Sequence, residues 1–94
     1  MNWHTVAASL AERGRGSEGG EIIRDEELLG AARITAERGG RTAPFAITCG
    51  IYGWMVHTRF FGSDVEALSE YEKMKEALAA VVESIPFADE VLSQ

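Results

Sequence analysis

A chain of 94 residues with 46% hydrophobic and 26% charged side chains has the composition of one small folded domain, able to bury roughly two thirds of its unfolded surface with little margin. Its formal net charge of −6 argues against non-specific binding to nucleic acid or to an anionic membrane, since both need a positive field. Cys49 is the only cysteine, which excludes an intrachain disulfide and a cysteine-based metal framework and favours a reducing compartment.

No segment reads as membrane-spanning: residues 42–58 lack formal charge but are broken by Pro44, Gly50 and Gly53. The run from Val6 to Ala11 has no basic region ahead of it and does not make a signal peptide, so the expected location is cytoplasmic. Charge is uneven along the chain. Residues 38–61 carry Arg38, Arg41 and Arg59 and no acid, whereas the last third is acidic with only Lys73 and Lys75 as cations.

In chain order, Trp3, Val6, Ala7 and Leu10 recur at helical spacing and predict a short N-terminal helix over 1–13, too short to stand without docking on something. Residues 14–20 hold Gly14, Gly16, Gly19 and Gly20 with no apolar side chain, the composition of a flexible linker. Three of these glycines match the spacing of a dinucleotide-binding motif. That motif must leave a strand and open a helix whose amides hold the pyrophosphate, and here a helical pattern precedes it. Two Arg-Gly pairs in an acidic chain are also too sparse for an RNA-binding tract. Ile22 and Ile23 begin either a strand or a turn of helix reaching Leu29; an extended piece followed by a strand from about Leu28 is the favoured reading.

Gly39-Gly40 suits a two-residue hairpin turn, because glycine takes positive φ without steric cost. That turn sets Ala36 against Ala43, Ile34 against Phe45, Ala32 against Ile47 and Gly30 against Cys49, an apolar face on both strands, with Arg33, Thr35 and Glu37 on the other face. The third strand follows a loop within Thr48 to Gly53. Any loop of even length sends Trp54, Val56 and Phe60 to the apolar face and gathers Arg33, Glu37, His57 and Arg59 on the opposite one. A loop of odd length reverses both assignments. Four such residues form a candidate ligand-binding group: the arginines suit a carboxylate or phosphate, and histidine carries a proton near neutral pH. The competing reading is a solvated or dimer-facing surface with cross-strand ion pairs.

Cys49 with His57 as base would be a nucleophile only in an electropositive setting; a small buried hydrophobe is the simpler role. Tyr52, Trp54, Phe60 and Phe61 read as core rather than as the wall of a ligand site. Ser63 and Glu66 form a capping-box pattern that opens a helix over 64–85, in which Tyr71, Met74, Leu78 and Val81 are expected to be buried and Pro86 ends the run. Glu72 with Lys75 makes an ordinary surface pair at helical spacing. The carboxylates of this helix have no histidine companion for a metal, and His4 reads as a lone surface residue.

The sequence therefore predicts one α+β domain over 1–94: a short N-terminal helix, a three-stranded antiparallel β-meander over 28–61, and a long amphipathic C-terminal helix packed on one face of the sheet. No catalytic residue, metal ligand or cofactor is expected, and the chain leans away from being an enzyme. Two open edges and a partly apolar second face point to a non-enzymatic homodimeric interaction or regulatory module. The alternatives are an anion-binding protein or enzyme with its site at Arg33, Glu37, His57 and Arg59, and an acidic protein whose helix occupies a basic protein partner.

Overall fold

The computed structural model describes residues 3–6, 14–28 and 30–84. It is an antiparallel sheet in the order β1 (His4–Thr5), β2 (Glu21–Leu28), β3 (Ala32–Arg38), β4 (Phe45–Ile51) and β5 (Met55–Phe61), followed by one helix, α1 (Asp64–Ser84). The α+β class and the helix on the sheet are as expected. The sheet is larger than the three-stranded meander, because two segments upstream of Leu28 join it.

The first correction concerns the N-terminus. His4 and Thr5 pair with Glu27 and Glu26, and the Val6 amide donates to the Asp25 carbonyl at 2.9 Å, so the described part of the expected helix is a strand. The rest of that helix, 7–13, lies outside the described residues. Glu21 to Leu28 is strand throughout. A bulge between Ile22 and Arg24 sets which face each isoleucine takes: Ile22 is buried on the face away from α1, and Ile23 packs against the core on the other. Without it, alternation counted back from Arg24 would set Ile23 opposite Glu37 on the outer face and turn Ile22 towards α1.

The β3–β4 connection corrects the expected register. Ala36 pairs with Ile47, Ile34 with Cys49 and Ala32 with Ile51, so the turn spans residues 39–44 instead of two glycines. Gly39 does adopt φ 73°, but its amide donates to the Pro44 carbonyl at 2.8 Å, and Arg41 donates to the carbonyl of Glu18 at 3.0 Å. Gly40 and Arg41 are thus drawn away from the hairpin to meet the segment 14–20. The shift equals an even number of residues, so Ile34, Phe45, Ile47 and Cys49 still share the face towards α1.

Between β4 and β5 the loop is odd. Ile51 pairs with Met55, leaving Tyr52, Gly53 and Trp54, with Gly53 at φ 79°. This three-residue hairpin sends Phe61, Arg59, His57 and Met55 to the inner face towards α1, and Val56, Thr58 and Phe60 to the outer face. Trp54 and Phe60, expected in the core, are exposed; of the aromatic group only Phe61 is buried.

The core lies between the inner face and α1: Leu28, Ile34, Ile47 and Phe61 from the sheet meet Ala67, Tyr71, Met74, Leu78 and Val82 from the helix. Val82 takes the place expected for Val81, which is 44% exposed. The helix opens as predicted, with the Glu66 amide donating to Ser63 Oγ at 3.3 Å. At the β2 side, Tyr71 donates to Glu26 at 2.7 Å and Lys75 reaches the same carboxylate at 3.0 Å, while Arg24 stacks over the Tyr71 ring at 4.4 Å. Burial opposes ionisation of Glu26, but the hydrogen bonds from Tyr71 and Lys75 outweigh it and hold the carboxyl below its ordinary 4.5. Burial, aided by the bond to Glu26, pushes the Tyr71 phenol far up, so it remains a donor.

Two outcomes test this packing. Leu78→Ala should cost about 2–5 kcal/mol in urea unfolding while Val81→Ala stays within about 0.5 kcal/mol, because only the first opens a cavity; equal midpoint shifts would place the stripe elsewhere. Glu26 has a depressed folded-state pKa, so its contribution is full above the unfolded value and is lost as pH falls through the folded one. Glu26→Gln should therefore destabilise at neutral pH, with the gap to the parent closing below about pH 4.5; a gap unchanged in acid would show that its charge does not hold the helix.

Candidate functional site

The outer face has a covered half and an open half. Over β2 and β3, residues 14–20 fold back onto the sheet rather than hanging free as a linker: the amides of Gly20 and Glu18 donate to the two Glu37 carboxylate oxygens at 2.8 and 3.4 Å, and Arg15 pairs with Glu21 through the backbone as an isolated antiparallel β-bridge. Glu37 is 1% exposed. A Cβ on Gly16 would collide with its carboxylate, and one on Gly20 would meet the Arg38 carbonyl at 2.7 Å. The glycine spacing that resembles a phosphate cradle is thus a cradle for an anion of the chain itself. Its inward amides are already taken.

Beside it, Asp25 is also buried and holds Arg33 in a two-pronged pair at 2.9 and 2.6 Å. The Asp25 hydrogen bonds, against the effect of burial, raise the Arg33 pKa further. Tyr52 donates to Glu27 at 2.8 Å along the same rim. Burial first, and then this contact, push the phenol of Tyr52 up.

The open half covers β4 and β5. A concavity of about 510 Å³ runs along it, with Arg33 and Tyr52 at one side, Thr35, Thr48 and Gly50 on its floor, and Trp54 and Val56 on the far wall. Gly50 keeps the floor low, since a Cβ there would meet the Met55 carbonyl at 2.8 Å. Hydroxyls form a row across the sheet: Ser17 to Thr48 at 3.2 Å, then Thr48 to Thr58 at 3.0 Å. Thr58 is the last residue of that row and sits on β5, the edge of the sheet. On either side of it, Val56 is 80% and Phe60 43% exposed, and Trp54 is 67% exposed at the turn.

The four residues expected to form one ligand group are divided by the sheet. Arg33 and Glu37 lie on the outer face, each bound within the chain, while His57 and Arg59 lie on the inner face, exposed at the edge. Arg59 lies 3.9 Å from Glu70 of α1 and over the Phe61 ring at 5.3 Å. Cys49 is the cross-strand partner of His57, but it is buried and burial pushes its thiol up, the reverse of what a nucleophile needs. The surface that sequence reasoning missed is Trp54, Val56 and Phe60. Its signal was Gly53 at the centre of Tyr52-Gly53-Trp54, a glycine placed for a three-residue hairpin. Comparison with protein-family models, curated proteins and solved structures gives no match.

The role of Glu37 is testable by truncation. Glu37→Ala leaves the Gly20 and Glu18 amides without their acceptor, and should cost about 1–3 kcal/mol and speed tryptic cleavage after Arg15. Cleavage at the parental rate would mean that the carboxylate does not hold this segment down.

Proposed function

We propose that this protein is a non-enzymatic interaction module that engages a polypeptide by strand addition to β5. The observation that carries this reading is the contrast between the two sheet edges. Among the described residues β1 is a two-residue strand, a short edge of the kind that resists unwanted pairing, whereas β5 runs for seven residues without proline, lysine or a bulge, its one formal charge being Arg59 on the inner face. An edge of that length offers a row of backbone donors and acceptors, and its outward side chains Val56 and Phe60 give an added strand something apolar to cover. The adjoining concavity has room for side chains of the incoming strand.

The ligand-site alternative has less behind it. Arg33 is committed to Asp25, Arg59 faces Glu70, and Glu37 is sealed under 14–20. An anion arriving at either arginine would have to compete with a carboxylate already in place.

A photo-activated cross-linking residue placed at position 56, in the protein's native cell, should join the chain to a polypeptide, while the same residue at the exposed helix position 65 should not. Phe60→Glu should abolish the adduct from position 56. No adduct at 56, or equal adducts at both positions, would sink strand addition.

A further inference from the structure

We infer that the strand added to β5 is β5 of a second copy, paired antiparallel about a two-fold axis through Thr58. This rests on the strand-addition reading and names its occupant. The argument is the internal symmetry of the edge. A two-fold at Thr58 sets Val56 opposite the second copy's Phe60 and Phe60 opposite its Val56, so the two exposed apolar side chains of the outer face cover each other twice. Aromatic with β-branched is a favourable cross-strand pair.

Three further features agree. The hydroxyl row from Ser17 through Thr48 ends at Thr58, and the axis places a second Thr58 next to it, so that the row continues into the other copy. At the turn, Trp54 falls opposite Gly62 of the second copy, a position with open space around it. On the inner face Arg59 comes opposite the second copy's His57, and Glu70 of its own helix supplies the counter-charge. An isologous contact of this kind closes on itself and gives a dimer, not a filament.

The helices permit it. The axis is normal to the sheet, so both copies of α1 lie on the same face. Since α1 sits chiefly over β4, three strand spacings of about 4.8 Å separate the helices by about 14 Å, beyond the 8–10 Å of packed helices. They neither clash nor contribute the main contact, so the dimer depends on β5 and is a weak, concentration-dependent one.

Sedimentation of the parent protein from low micromolar to near-millimolar loading should show a monomer–dimer equilibrium. Val56→Lys and Phe60→Glu should each give monomer with unchanged circular dichroism. The double variant Val56→Lys/Phe60→Glu should recover the dimer, because it places opposite charges across the axis at both pairs. Thr58→Cys should form a disulfide-linked dimer under mild oxidation and Val65→Cys should not, with buried Cys49 inert in both. A Thr58→Cys protein that stays monomeric, or a double variant no more dimeric than the singles, overturns the two-fold pairing. Cross-linking from position 56 separates the two levels of the argument: adducts that are never twice the chain mass overturn the second copy and leave strand addition standing, and no adduct at all removes both.

Discussion

The length of the turn between Ile51 and Met55 governs what each face of the sheet carries. Side chains alternate with period two, so one residue more or fewer would exchange the faces of β5 wholesale. The strand itself is poorly committed: Phe60 and Phe61 are interchangeable as core residues, and the Arg59–Glu70 contact is partly exposed and contributes little. The decision therefore lies in the turn. Gly53 accepts φ 79°, which a three-residue hairpin requires and a side chain would resist. With that turn made, Phe61 is buried, His57 and Arg59 fall on the helix side, and Val56, Thr58 and Phe60 face outward.

A second constraint operates at the other side of the sheet. Glu37 is a buried carboxylate with backbone amides as its partners, held by a segment rich in glycine because larger residues would not let the backbone approach. The same segment bonds to Ile22, whose amide donates to the Gly14 carbonyl at 3.2 Å and whose side chain the β2 bulge has turned to the outer face. Burying a charge this way is tolerable only because its oxygens are met by donors. The glycines, the bulge and the long 39–44 connection are thus one device, since Arg41 and Gly40 leave the hairpin to complete it.

Much of the fold was legible in the sequence. The helix and its cap rest on local spacing, and the inner apolar face of β3 and β4 survives because the register error was even. What was not legible depended on contacts distant in the chain. Residues 14–20 look like a linker until Glu37 is known to lie beneath them, and Gly39-Gly40 looks like a tight turn until Glu18 is seen to accept from Arg41. His4 and Thr5 are too few to announce a strand and are fixed by pairing with β2. The candidate site inherited the parity of an unknown loop. Arg33 and Glu37 were placed on the correct face for a reason independent of that loop, but His57 and Arg59 were not.

The structure closes itself unevenly, and that unevenness bears on function. Among the described residues, one face is covered by α1, half of the other by 14–20, and one edge dwindles to two residues in β1. Several exposures coincide: the bare half of the outer face, the long edge, the end of the threonine row and the exposed side chains of Trp54, Val56 and Phe60 meet at β5, while Val65, Leu68 and Val81 are exposed singly along α1. A chain of this size has little apolar surface to leave uncovered at no cost. A long edge whose outer side chains are apolar is an aggregation hazard unless something occupies it. A self-complementary strand resolves the hazard most simply, because the surface that needs covering is then also the surface that covers it.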